Sequence, residues 1–257
     1  MSNYEGNQAS IYDLVHEDKN YGLEVDYIIN IANNNGINSG NVIDIGCGTG
    51  KHLKEFKDRG WSAFGVDTSL DMVKRAEELL GDDAVIRHGN IEVIKEKFDL
   101  AISMFNVVNH IHGDLNSLEV FFNNISRKMN KGGVFIFDCF NHKAYQKEAP
   151  KSNVKTLSNG GKLHTKPVAS YDGLHPDLTL ECEYIGKDKR FEYSIKHKIW
   201  HTGALFGSLF KSGFSLLGLY NYFEDNNHIT EDGIYDADKS KYKIVLVTKK
   251  IRTPKKR

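Results

Sequence analysis

From Val42 to Phe140 short apolar runs alternate with amphipathic stretches, and this alternation limits the fold more than any other feature. "VIDI", "WSAFGVD", "AVIRHG", "FDLAISMF" and "GGVFIFDCF" read as strands. Lys51 to Arg59, "SLDMVKRAEELLG" and Leu115 to Met129 read as helices between them. Leu53 and Phe56 point inward on the first; Leu118, Phe121, Phe122 and Ile125 share one face of the third. Ser69 or Thr68 caps the second, and Gly60 and Gly81 stop the first two. Strands this apolar need cover on both faces, which a parallel sheet between helix layers supplies. Right-handed crossovers then give a doubly wound, Rossmann-like α/β fold with seven mostly parallel strands.

The pattern breaks after Phe140. "NHKAYQKEAPKSNVKTLSNGG" is polar and reads as a loop with a short helix. Leu178, Leu180, Cys182 and Tyr184 then alternate with polar residues, "GKDKR" turns, and Phe191, Tyr193, Ile195, His197 and Ile199 alternate again. This is an inserted hairpin or small antiparallel β meander. Helix–strand order returns with Thr202 to Lys211 and "FSLLGLYNYF"; the last strand is "KYKIVLVTKK". These two late strands read as an antiparallel hairpin at the sheet edge, joined by "EDNNHITEDGIYDADKS". The expected division is one doubly wound domain over 1–140 and 201–250, an inserted antiparallel substrate-cover subdomain over 141–200, and a basic tail over 251–257. Before Val42 the chain is helical in parts, with Leu23, Tyr27, Ile28 and Ile31 at helical spacing.

Lys plus Arg and Asp plus Glu number 34 each, so there is no general attraction to nucleic acid or anionic membranes. Cys47, Cys139 and Cys182 are odd in number and far apart, which suits reduced thiols and neither a disulfide framework nor a zinc site. The start "MSNYEGNQASIYDLV" lacks the pattern of a signal peptide, and no apolar run reaches bilayer length. The expectation is a cytoplasmic protein with a small-molecule partner; a homodimer remains an open arrangement.

Gly46, Gly48 and Gly50 follow the first strand as G-x-G-x-G. Glycine allows a sharp turn and a close ligand approach. The dinucleotide fingerprint is G-x-G-x-x-G, and Lys51 stands where its third glycine would be. Asp44, two residues before the turn, would repel a diphosphate and suits a cofactor carrying an amine and a cationic centre. Asp67 ends the second strand, where an acid can accept both ribose hydroxyls. Asn90 ends the third and could read an adenine amino group through its oxygen, with Ile91 covering the ring.

"VIDIGCGTG", "GVDTSLDMV", "HGNIEV" and "FDLAISMFNVVNHI" together resemble the class I S-adenosylmethionine-dependent methyltransferases, from Val42 to about Phe140. The resemblance implies S-adenosyl-L-methionine as cofactor and S-adenosyl-L-homocysteine as product. It implies the turn from Gly46 through Cys47 and Gly48 to Gly50 at the methionine end, Asp67 on the ribose and Met72 near the adenine. Thr68 and Met104 complete the expected cofactor set. Asn90 departs from the family, where many members carry Asp.

The acceptor side begins at "MFNVVNHIHGD", with Phe105, Asn106 and Asn109 as candidates. It has no N-P-P-Y-type motif, which argues against methylation of adenine or glutamine amides. "FNVVNHI" is similar to small-molecule members acting on nucleotide-linked amino sugars and to the glycine N-methyltransferase group. In the sugar enzymes a histidine just after this strand lies near the acceptor, and the matching residue is His110. An ordinary histidine titrates near pH 6.5, within reach of general-base work; a helix-capping or core histidine is the other reading. His112 should face solvent, and His-x-His with only Asp114 nearby makes no metal set.

"IYDLVHEDKNY" resembles the tyrosine-bearing helix that closes over the cofactor in these enzymes, which makes Tyr12 and Tyr21 lid candidates. Tyr12 with Ile11, Leu14 and Val15 fits plain helix packing equally well. Methyl transfer to nitrogen or oxygen of a small polar metabolite is the leading expectation, and a nucleotide-linked sugar or other phosphate-bearing intermediate the sharper one. An RNA or protein methyltransferase and a non-catalytic cofactor-binding scaffold are the alternatives.

Overall fold

The computed structural model describes residues 4–147, 150–170, 175–221 and 243–254. Helices α1 (Asn7–Val15) and α2 (Tyr21–Asn34) lead into β1 (Asn41–Ile45), α3 (Lys51–Asp58), β2 (Ser62–Asp67), α4 (Leu70–Leu80) and β3 (Val85–His88). Then come β4 (Phe98–Ser103), a 3-10 turn at Val107–His110, α5 (Leu115–Lys128), β5 (Met129–Phe140) and α6 (His142–Lys147). Four strands follow: β6 (Asn153–Thr156), β7 (Lys162–Ser170), β8 (Asp177–Ile185) and β9 (Arg190–Lys198). The chain returns through α7 (Thr202–Lys211), β10 (Phe214–Asn221) and β11 (Lys243–Lys250).

The main sheet has the order β10–β11–β5–β4–β1–β2–β3, and β11 alone runs against its neighbours. Its two apolar faces come from period-2 alternation. Ile43, Ile45, Phe135 and Phe137 pack with α5 and α7, while Val42, Leu100, Ile102 and Ile136 pack with α2 and α3. Phe98, Phe122, Phe135 and Phe137 are fully buried, each contributing roughly 1.5–3 kcal/mol. Ser69 caps α4 by accepting from the Met72 N–H. The strand order reverses between β1 and β4, so the carboxyl ends of both open onto one crevice.

The second sheet is antiparallel throughout, β6–β7–β8–β9. It is larger than the two alternating runs of the sequence predict, because β6 forms inside the stretch read as loop and β7 (Lys162–Ser170) adds a further strand. β6 is an exposed polar edge strand whose one large apolar residue, Val154, faces solvent, so it carries no alternation signal. In α2 the inward face also differs: Leu23 is exposed and Glu24 is buried, held by two partners described below. The loop joining the last two strands, and residues 255–257 of the basic tail, lie outside the described residues.

Candidate functional site

The glycine turn is built by backbone geometry. Gly46, Gly48 and Gly50 all have positive φ (78°, 54° and 81°), and the Gly46 and Cys47 N–H groups both donate to the Val66 carbonyl. A Cβ on Gly46 would sit 2.6 Å from Val107 Cγ2, so the turn and the 3-10 segment after β4 press together through a glycine. Asp67 fixes the other side: its Oδ2 accepts from the Gly48 N–H at 2.9 Å and its Oδ1 from the Ser69 N–H at 2.8 Å.

Two chambers open from this crevice. The first, about 530 Å³, is walled by the glycine turn, Asp67, Met72, Asn90, Ile91 and His110, and Thr68 also lines it. The second, about 390 Å³, lies between α1, β5 and the second sheet, with Asn106, Phe140, Tyr193 and His197 in its wall. Tyr4, Tyr12 and Phe105 line both. A chain of ring contacts runs across the junction from His110 to Tyr4 (5.7 Å between centroids), Tyr12 (5.4 Å), His16 (4.7 Å) and Phe105 (5.1 Å).

α1 is tied to both walls. Asp13 accepts from Thr49 Oγ at 2.7 Å, the Gly6 N–H donates to Asp71, and Ser69 Oγ donates to the Tyr4 carbonyl. On the other side Lys155 Nζ donates to the Val15 carbonyl, and the Ser158 N–H donates to Glu17.

Phe105 and Asn106 are consecutive non-glycine residues with positive φ, 70° and 59°. Such backbone costs of order 1–3 kcal/mol per residue and persists where the surroundings over-determine it. Here the Asn106 N–H donates to Asp138 Oδ1 at 2.6 Å. Phe105 is clasped by Lys19 Nζ (3.9 Å from the ring centroid), Lys243 Nζ (5.4 Å) and the stacked ring of Tyr21 (6.2 Å).

Beneath the turn lies a buried ionic chain. Glu24 Oε2 is 2.5 Å from Lys19 Nζ and 2.7 Å from His52 Nε2, and His52 Nδ1 is 4.0 Å from Asp44 Oδ2. The contacts with His52 and Lys19 hold the Glu24 carboxyl down near 2 despite its burial. Burial pushes the Asp44 carboxyl up to about 7. That weakens the charge argument made for Asp44 from sequence, since a carboxyl with this value is half protonated near neutrality.

Burial likewise pushes His110 down to about 4. Its Nδ1 is 3.2 Å from the Lys196 carbonyl, which can only accept; Nδ1 therefore carries the proton and Nε2 the lone pair. The ordinary titration near pH 6.5 expected from sequence does not apply to this imidazole.

Of the residues singled out from sequence, Tyr12, Gly46, Gly48, Asp67, Thr68, Met72, Asn90, Ile91, Phe105 and His110 meet around the first chamber, and Asn106 joins the second. Tyr21, Asp44, Cys47, Gly50, Met104 and Asn109 line neither. Tyr21 backs Phe105 and His52. Cys47 is a buried thiol raised well above its ordinary value by burial. Asn109 is a fully buried bridge, its Nδ2 donating to the Lys198 carbonyl and its Oδ1 accepting from the Phe140 N–H. The Asn90 side chain accepts from the Glu92 N–H, so its oxygen already caps a turn. Tyr4, His16 and Lys243 enter the chamber walls unforeseen. Lys243 opens a strand more than a hundred residues from Phe105, and no local pattern marks it. Among the described residues no cluster of His, Cys, Asp or Glu could hold a metal ion, and no helix is long and apolar enough to cross a membrane.

A family model described as a methyltransferase domain matches residues 21–170, more than half of the chain. The chain belongs to this methyltransferase domain family. The match takes in the glycine turn, Asp67, the Phe105–Asn106 corner and β6–β7. Over 117 residues the chain is 29% identical to a dTDP-3-amino-3,6-dideoxy-alpha-D-glucopyranose N,N-dimethyltransferase of Streptomyces fradiae, covering 44% of this chain and 46% of that protein. The chain thus spans about half the length of the curated relatives it matches. Its fold is shared with an S-adenosylmethionine-dependent methyltransferase from Clostridium acetobutylicum (TM-score 0.74, 21% identity, 94% and 96% of the two chains). It is shared too with a SAM-bound amino pentose methyltransferase from Micromonospora echinaspora (TM-score 0.72, 13% identity, 97% and 99%).

Proposed function

We propose that this methyltransferase domain uses S-adenosylmethionine to methylate the amino group of a small polar metabolite, with a nucleotide-linked amino sugar as the acceptor class. The observation that carries this is the pair of chambers meeting at Tyr4, Tyr12 and Phe105. A group-transfer enzyme needs two seats with one shared wall, because in-line displacement requires the reacting atoms to be close and aligned.

The first chamber fits the cofactor. Its volume lies in the ~300–1,000 Å³ range of small-molecule sites. Each Asp67 oxygen takes one backbone N–H and keeps a second lone pair for a ribose hydroxyl. Met72 and Ile91 supply apolar faces for a base, and the open Gly46–Gly48 backbone lets the amino-acid end approach. When bound, the cofactor supplies an electrophilic methyl group on a sulfonium. The chain's own part is to bind, orient and exclude water. Tyr4, Tyr12 and Phe105 offer ring faces to a cationic centre, and His110 presents a neutral imidazole at the wall. The Streptomyces fradiae relative is named for N,N-dimethylation of a dTDP-amino sugar, which favours nitrogen over oxygen. The second sheet acts as the acceptor cover, and the buried free thiols suit the reducing cytoplasm.

Incubation with S-adenosylmethionine and dTDP-3-amino-3,6-dideoxyglucose, read by mass spectrometry, tests the reading. Mass gains of one or two methyl groups on the sugar support it. Cofactor binding with no transfer to any nucleotide-linked amino sugar would remove the acceptor class and keep the cofactor.

A further inference from the structure

The second chamber is walled largely by apolar side chains, among them Ile11, Phe140, Leu163 and Leu180. In such a site a few polar atoms set the ligand's orientation. Three buried polar atoms in this wall have no hydrogen-bond partner among the described residues: Asn106 Oδ1, His197 Nδ1 and Gln8 Nε2. Two belong to side chains more than nine-tenths buried, Asn106 at 7% exposure and His197 at 4%. A buried polar atom left without a partner costs roughly 1–3 kcal/mol, so each is a place where a ligand atom gains.

Their surroundings hold them rigidly. The Asn106 backbone is fixed in the left-handed region by its N–H bond to Asp138, which sets the direction of the side chain. The His197 ring lies between His110 (4.6 Å between centroids) and the edge of Phe140 (5.1 Å). Asn109 links the next residue, Lys198, to the Phe140 backbone and so fastens β9 to β5 at this point. Burial, with His110 and Lys243 nearby, holds His197 near 2, so its imidazole is neutral at any working pH.

We propose that Asn106 and His197 form the polar seat of the acceptor, Asn106 Oδ1 receiving an N–H of the amine to be methylated and His197 Nδ1 bonding a hydroxyl of the same molecule. The seat rests on the acceptor-chamber reading above and narrows it to amines that also carry a hydroxyl, as an amino sugar does. Asn106 Oδ1 is purely an acceptor and so selects a group that carries a hydrogen. The amine binds in its neutral form, its extra proton left in solvent; with one N–H committed there, the nitrogen's lone pair is left to face the methyl donor. His197 can serve a hydroxyl in either sense, as a neutral imidazole has one donor and one acceptor. Gln8 Nε2 supplies a third point, a donor for a ring or hydroxyl oxygen.

Calorimetry with the full chain tests the seat without requiring turnover. Titrating dTDP-3-amino-3,6-dideoxyglucose, and its 3-hydroxy counterpart, into protein loaded with S-adenosylhomocysteine gives the affinities. Wild type should bind the amino sugar. His197→Ala and Asn106→Ala should each weaken it by about tenfold or more while leaving S-adenosylhomocysteine affinity within twofold. His197→Asn, which keeps a hydrogen-bonding group, should recover part of the loss. Unchanged amino-sugar affinity in both alanine variants overturns the seat and leaves the proposed function standing. Equal loss of both ligands, without recovery in His197→Asn, also overturns it by showing a structural role. Failure of wild type to bind the amino sugar overturns the seat together with the acceptor class, whereas failure to bind S-adenosylhomocysteine strikes only the cofactor reading, since the sugar can be titrated alone.

Discussion

His110 and His197 lie ring against ring, 4.6 Å between centroids, one in the wall of each chamber. Both are neutral because burial disfavours their charged forms. The pair therefore sits at the partition between the chambers as polar, uncharged surface, suited to orienting an acceptor more than to storing a proton.

His110→Ala should accordingly keep S-adenosylhomocysteine affinity and lower turnover by roughly 10–100-fold, the scale of a misplaced nucleophile. With its value near 4, His110 stays neutral from pH 6 to 8, so it should add no inflection near pH 6.5 to the rate profile of the wild type. Steady-state rates across that interval check both statements; normal turnover in the variant would remove His110 from the reaction.

Gly46→Ala should damage fold and binding together. The new methyl would come 2.6 Å from Val107 Cγ2, at a φ of 78° that L side chains rarely adopt. A loss of about 1–3 kcal/mol is expected from thermal unfolding. Adding Val107→Ala should return part of it, since that removes the clash and leaves only the backbone cost.

Glu24→Gln should cost of order 3 kcal/mol, because it strips the carboxylate from Lys19 and from the His52 hydrogen bond at a site 4% exposed. Lys19 also lies over Phe105, so the variant should loosen acceptor binding as well as lower the unfolding midpoint. A midpoint within a degree of wild type would show that the buried ionic chain contributes nothing net.

Acidification should destabilise the protein between pH 6.5 and 5. His16, His110 and His197 are lowered to about 3, 4 and 2, against an ordinary value of 6.5. The unfolded chain binds the extra protons in that window, so this stability is complete above pH 6.5 and is lost as pH falls toward the folded values. Asp44, raised to about 7, and Asp67 and Asp138, also raised by burial, act oppositely, but His112 and His175 are lowered as well, so five imidazoles are set against three carboxyls. Unfolding midpoints of wild type should fall from pH 7 to pH 5, and His197→Asn should flatten the slope.

The sheet was legible because β1, β4 and β5 are apolar on both faces and glycines punctuate them. The turn and Asp67 were legible because their positions follow from chain geometry at strand ends. Glu24 was not, as a carboxylate turns inward only when partners from elsewhere, here His52 and Lys19, meet it. β6 was missed because a polar edge strand lacks alternation. Tyr4 and Lys243 were missed because only tertiary folding brings them to Phe105. Asn109 reads from sequence as a site residue, yet its amide is occupied at both ends by backbone.

Calorimetric titration with S-adenosylmethionine and S-adenosylhomocysteine, with NAD as control, tests the central claim most directly. Micromolar binding of the first two is expected, none of NAD, and a loss of at least tenfold in Asp67→Ala, whose carboxylate holds the Gly48 and Ser69 N–H groups in place and would accept the ribose hydroxyls. Absence of binding by either S-adenosyl compound, or undiminished binding in Asp67→Ala, would contradict it.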